Sequence, residues 1–391
     1  MNWDSKILTT HVGSLIRPPT LAAFYRAKQD KRPIDEKAFE TCLATSVMDV
    51  VLRQSEIGID IVSDGEYGKS NWWRYIIERF TGIEQRAPMS GEESEAIVKL
   101  SRGKDRERFA EFYAEYDKAN EISGPVAGWA VTGPITYRGQ AALQRDIKNF
   151  KAALQGAKGA TGFMPVVAPA SVAAGHRDIH YGNEEKCMFA IADALHEEYK
   201  AIIDAGLNVQ VDDAWMTVMY DRMVPPGSFA DYRKWVQLRI DALNHALRGL
   251  PVERTRYHVC WGSWAGPHTS DVPLKQIVDL ILSVRAGGYS LEAANPRHEH
   301  EWRVWETVKL PEGKKLYTGV ISHATNVVEH PELVAERITR LAKLVGRENL
   351  VASTDCGFAQ GALYQRVHPS IMWAKLESLV EGAKLATQQL A

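Results

Sequence analysis

The 391-residue sequence predicts an α/β protein and, within that class, a (β/α)8 TIM barrel with a helical insertion after the second strand. Short β-branched runs alternate with long amphipathic stretches, the order that builds a parallel sheet wrapped in helices. Polar residues capable of chemistry sit at the carboxyl end of nearly every run: Ser14, Glu66, Asp212, Asp213, Cys260, Glu292, His323 and Cys356. A barrel collects all its strand ends on one face, whereas a doubly wound sheet uses only those at its switch point.

Along the chain, the first two runs are ILTTHVG (7–13) and IDIVSDGE (59–66). They are followed by VAGWAVTG (126–133), FMPVVAPAS (163–171), NVQVDD (208–213), YHVCWG (257–262), YSLEAA (289–294), LYTGVISH (316–323) and LVASTDCG (350–357), so nine runs compete for eight places. The stretch from about 67 to 160 is longer than one βα unit and helix-rich, which assigns 126–133 to an inserted excursion and 163–171 to the third strand. Helical patterns occupy 183–206, 231–249 and 330–346, with terminal glycines placed as C-caps. No internal repeat or Gly/Pro/Ser-rich linker divides the chain, so residues 1–391 are expected to form a single catalytic domain.

Composition narrows the partners. Forty-seven basic side chains face 49 acidic ones without a long run of either sign, which gives no footprint for nucleic acid or an anionic membrane. The four cysteines, at 42, 187, 260 and 356, are too few and too scattered for a disulfide framework, so a reducing compartment is expected. The start, MNWDSKILTTHVGS, lacks a signal-peptide core, and no stretch approaches the roughly 18 uninterrupted apolar residues of a membrane span. A cytoplasmic protein acting on small molecules is expected, with homo-oligomerisation left open.

The densest chemistry lies in YHVCWG. Residues i and i+2 of a strand point to one side, so His258 and Cys260 present an imidazole and a thiolate to one point beyond the strand end. Glu292 and Cys356 end later runs and aim at the same point. His258, Cys260, Glu292 and Cys356 make a borderline-soft N/S/O donor set that suits zinc better than magnesium, calcium or redox-active iron. A single buried cysteine is otherwise a small hydrophobe, and Cys42 and Cys187, within helical patterns, are expected to pack. Joint placement at three strand ends is what favours ligation.

The ordered series TTHVGS, DGE, VQVDD, H-x-C, a strand-end Glu and D-C-G resembles the catalytic barrel of the cobalamin-independent methionine synthase family, from about residue 7 to 380. The resemblance implies zinc ligands at His258, Cys260, Glu292 and Cys356, and a pocket for the amino-acid part of homocysteine at Ser14, Glu66 and Asp212. It implies a proton-donating histidine at His323. The activity implied is zinc-dependent S-methyl transfer from a methyl-folate or methyl-corrinoid to a small-molecule thiol acceptor. The short single-barrel members that the chain resembles also include epoxyalkane:coenzyme M transferases.

The chemistry asks for the same parts. A thiol with a pKa of about 8.5 is mostly protonated at neutral pH, and coordination to zinc deprotonates it. Glu292, the hardest ligand, is expected to loosen for an incoming sulfur. The leaving group needs an acid, and His323, titrating near neutrality, is the candidate; its competing reading is a histidine bonded to a backbone carbonyl. Glu66 and Asp212 favour an ammonium-bearing acceptor over a sulfonate.

Departures from the family limit the donor. Folate-dependent members read D-E-P-A-L-R-E, the last Glu meeting the pterin, whereas DDAWMTV here puts Val218 at that place and Ala214 where proline stands. After Glu292 comes NPRHEHEW, in which His298 and His300 are expected to orient Glu292 or close the mouth. Trp72, Trp73 and Arg74 either stack on a flat donor and clamp an anion, or pack the insertion's own helix. A barrel with purely structural zinc is the remaining class.

Overall fold

A computed structural model describes residues 6–86, 103–119, 128–174 and 176–391. Its strands are β1 (Leu8–Thr9), β2 (Ile61–Val62), β3 (Ile83–Arg86), β4 (Gly128–Val131), β5 (Thr161–Val167), β6 (His176–Asp178), β7 (Asn208–Asp213), β8 (Thr255–Val259), β9 (Gly288–Leu291), β10 (Lys315–Ile321) and β11 (Leu350–Thr354). Eight of them form one parallel sheet in the order β1-β11-β10-β9-β8-β7-β5-β2. A parallel bridge from Thr10 to Ile61 joins its two edges and closes the ring into a (β/α)8 barrel.

Ladder hydrogen bonds continue past the ends of several strands and carry the polar residues upward in register. Cys260 N–H donates to Asp213 O at 3.0 Å, Asp355 N–H to Ile321 O at 2.9 Å, and Ala168 N–H to Asp212 O at 2.9 Å. The third barrel strand is β5, and it stops before Pro169, which opens a short helix at Pro169–Ala173 where a missing N–H costs nothing.

The run at 126–133 lies outside the barrel, as its assignment to the excursion requires; residues 126–127 of it, and 87–102 and 120–127 of the excursion, fall outside the described residues. The excursion holds strands as well as helices. β3 runs antiparallel to β4, and β4 runs parallel to β6, which the chain supplies only after β5. The loops following β2 and β5 are thereby tied together beside the carboxyl face.

Local sequence sets the outer helices. Asp35 caps the helix Glu36–Ile57 by accepting from Ala38 N–H at 3.1 Å, and Gly58 ends it in the left-handed conformation at φ 100°. Asn183 caps Glu184–Asp204, and a Ser228/Asp231 capping box opens Phe229–Ala246. The helix over 330–346 is Pro331–Val345. Among the described residues no helix is long and apolar enough to cross a membrane.

Inside the barrel, Leu8, Ile61, Phe163 and Val351 form a small apolar layer against Tyr317. Arg256 lies within it, its guanidinium carbon 3.6 Å from the Phe163 ring centroid and 4.9 Å from that of Tyr317. Each guanidinium nitrogen has an acceptor: Gln210 Oε1 at 2.6 Å, Thr10 Oγ1 at 3.1 Å and His11 O at 2.8 Å. This layer floors the site above it.

Candidate metal and thiol site

His258, Cys260 and Cys356 meet at the carboxyl end of the barrel, with one ligand atom from each lying within 4.8 Å of the others. The two sulfurs are 3.5 Å apart, and Gly262 N–H donates to Cys260 Sγ at 3.2 Å. His258 Nδ1 bonds Ser290 Oγ at 3.2 Å, while its Nε2 is buried with no hydrogen-bond partner. The hydrogen bond between the two sulfurs, with burial, pushes Cys260 well above the usual thiol range, and the same bond holds Cys356 well below it against the effect of burial. An unpartnered imidazole nitrogen beside two cysteine sulfurs is a donor set that fits a soft divalent cation.

Glu292 stands beside this cluster but is not one of its three members. Its Oε1 accepts from Trp261 N–H at 2.8 Å and its Oε2 from Asn295 Nδ2 at 2.8 Å. Burial raises it well above the normal carboxyl range, with the charges of Asp355 and Cys356 adding to the effect and His298 opposing it. Asp355, which precedes Cys356, fixes the same loop by accepting from Ala293 and Ala294 N–H, each at 2.9 Å.

The orienting role expected of His298 and His300 falls instead to Asn295. His298 bonds Asp271 at 3.0 Å and Glu301 at 2.9 Å. Burial alone would lower its pKa, and these two acceptors raise it to about 10. It is a buried cation that ties the loop after β8 to the loop after β9, and His300 is exposed.

A small cavity of about 40 Å³ lies beside the sulfurs. Its lining also includes Ser14, Glu66 and Asp212, the last paired in register with His258 on the neighbouring strand. Ser14 Oγ donates to Glu66 Oε2, and Glu66 adopts a left-handed backbone (φ 59°) with its N–H on Asp64 Oδ1 at 2.9 Å. A non-glycine residue in that region stores strain, and here it stands at the cavity. Asp212 Oδ1 accepts from Gln210 Nε2 at 2.7 Å. Burial and the Glu66 charge raise Asp212 well above the carboxylate range.

No protein-family model matches the chain. A methionine synthase of Thermococcus kodakarensis is 23% identical over 98% of this chain and 94% of its own length. The 2-hydroxypropyl-CoM lyase of Xanthobacter autotrophicus is 24% identical over 88% of this chain and 98% of that protein. The chain is a homologue of these enzymes. Its fold matches that of a B12-independent methionine synthase from a Shewanella species, solved in complex with selenomethionine, at a TM-score of 0.70 and 22% identity over 98% of this chain and 99% of the other. The homologues' names divide between methionine synthesis and a coenzyme M lyase.

His323 is 3% exposed, with neither ring nitrogen partnered, so no backbone carbonyl holds it. Burial lowers its pKa to about 4, the Cys356 charge opposing, which departs from the expectation of an imidazole titrating near neutrality. The three residues of the aromatic segment part company. Trp72 lines the cavity, Trp73 meets His176 edge-on at 6.2 Å, and Arg74 lies 5.2 Å over Trp73. Cys187 is buried within its helix, its thiol pushed up to about 12 by burial, and Cys42 is half-buried on another. Sequence reasoning passed over Lys69, whose Nζ lies 2.9 Å from Glu66 Oε1; its one signal was the i+3 spacing in DGEYGK.

Proposed function

We propose that the chain is a zinc-dependent thiol S-alkyltransferase, and in the first instance an S-methyltransferase that converts homocysteine to methionine. One observation carries this reading: an unpartnered His258 Nε2 beside paired cysteines in a cavity that Ser14, Glu66 and Asp212 also line. His258, Cys260 and Cys356 would hold the metal and Glu292 would complete the set. Zinc there would supply the Lewis acidity that keeps a substrate thiol deprotonated at neutral pH.

The chain's own residues do the rest. Trp261 N–H and Asn295 hold the Glu292 carboxyl, which makes it the donor easiest to do without when a substrate sulfur arrives. Asp212 offers its carboxyl to the acceptor's ammonium, and that contact opposes the burial that raises it well above the carboxylate range. Burial lowers the pKa of His323 to about 4, so a proton that it gives to a leaving group must reach it during the reaction. Val218, half-buried where the resemblance calls for a pterin-binding carboxylate, favours a methyl-corrinoid or another donor over methyl-folate.

The second reading is alkylation of coenzyme M by an epoxide, favoured by the lyase homologue. Cobalt-substituted protein distinguishes the readings. Homocysteine should perturb the visible cobalt spectrum at lower concentration than coenzyme M, and turnover should require a methyl donor. The opposite order with epoxide turnover would move the assignment, and no spectral response to any thiol would make the metal structural.

A further inference from the structure

A buried lysine stands behind Glu66. Lys69 is 4% exposed; besides Glu66 Oε1 at 2.9 Å, its Nζ donates to Pro165 O at 2.5 Å and lies 4.3 Å from the Tyr75 ring centroid. Glu66, Pro165 and the Tyr75 ring hold the ammonium, and Lys69 is not among the residues lining the cavity. Glu66 is engaged at both oxygens, by Lys69 and by the Ser14 hydroxyl. At 2.9 Å and away from water, the Lys69 charge opposes that of Glu66 as felt at Asp212. Asp212 is different. Gln210 reaches its Oδ1, and no donor among the described residues reaches Oδ2.

We propose that Lys69 is the specificity-determining residue for the thiol acceptor. By opposing Glu66 it leaves Asp212 as the carboxyl with an oxygen open to the acceptor, which suits an acceptor bearing one ammonium and still admits an uncharged one. Without Lys69 the two carboxylates would act together, tightening on a cation and repelling an anion. Lys69 is a positioning residue, since it touches Glu66 and not the substrate. The inference rests on the thiol-transfer reading above, and it names the residue that sets acceptor charge at that site.

The test is isothermal titration of zinc-loaded wild type, Lys69→Met, Lys69→Arg and Glu66→Gln with homocysteine, mercaptoethanol and coenzyme M. Lys69→Met should raise the preference for homocysteine over mercaptoethanol on the order of tenfold and weaken coenzyme M by a similar factor, with zinc content unchanged. Lys69→Arg, which keeps the charge, should keep the wild-type ratios. Glu66→Gln leaves Lys69 uncancelled, so coenzyme M should gain and homocysteine should lose; this variant decides the matter if Lys69→Met does not fold. Equal weakening of all three thiols in Lys69→Met, or a coenzyme M affinity unmoved in Glu66→Gln, would overturn the proposal. Failure of every thiol to bind wild type would overturn the thiol reading itself.

Discussion

The barrel buries polar groups at two levels, and the two are built differently. Around Arg256, at the lower level, every guanidinium nitrogen has an acceptor, and both Phe163 and Tyr317 stack on the cation. Around Cys260 and Cys356, at the upper level, three ring nitrogens of His258 and His323 have no partner. An unsatisfied buried polar group costs about 1–3 kcal/mol, and a bound metal or substrate beside the two sulfurs would relieve that cost. Burial of polar side chains is common to both levels. Satisfaction separates the frame from the site.

The largest effect that would test this contrast is at the lower level. Arg256→Met removes the donors to Gln210 Oε1 and His11 O, leaving the first buried without a partner and the second with only the Thr10 hydroxyl at 3.4 Å. We expect a loss of about 3 kcal/mol in urea unfolding, with metal affinity of the folded protein within about threefold of wild type. A large loss of metal with little loss of stability would erase the distinction between the levels.

The converse substitution is Cys356→Ser. It should reduce zinc affinity by about a hundredfold or more, near 2.7 kcal/mol, measured by competition with a chelator, while the unfolding free energy of the metal-free protein stays within about 1 kcal/mol. Cys42→Ser, on an outer helix, should keep the full zinc content. Loss of metal in that variant alone would refute the site.

What was legible in the sequence follows the same division. Strand-end chemistry could be read because a period of two fixes which side chains share a face, and because a parallel barrel brings every carboxyl end to one rim. The lengths of β1 and β2 could not. Each spans two residues, since Thr9 N–H turns to the Asp60 side chain at 2.9 Å and Thr10 continues only as a bridge. The holder of Glu292 was missed because His298 and His300 look more reactive than an amide, and the Asn295–Asp355 contact at 3.1 Å spans two strands' loops. Lys69 reads as an ordinary helical ion pair; only Pro165 and Tyr75, brought from other segments, reveal it as buried. The titration of His323 was misjudged for a similar reason, since burial is a tertiary property and it dominates that ring.

The smallest expected effect lies between the two levels, at Asp212, which Gln210 links to Arg256 below and which faces the sulfurs' cavity above. Asp212→Asn keeps the side-chain shape and removes the ionisable carboxyl that Lys69 leaves open to a ligand. Because burial and the Glu66 charge raise Asp212 well above the carboxylate range, part of its attraction for an ammonium goes into overcoming that shift. The loss should therefore be moderate: about tenfold in homocysteine affinity, or 1.4 kcal/mol, with mercaptoethanol changed by less than about threefold. Zinc content should not move, since Asp212 is not among the three clustered donors. If both thiols weaken equally, Asp212 serves the satisfied frame below it, through Gln210, more than the pocket above.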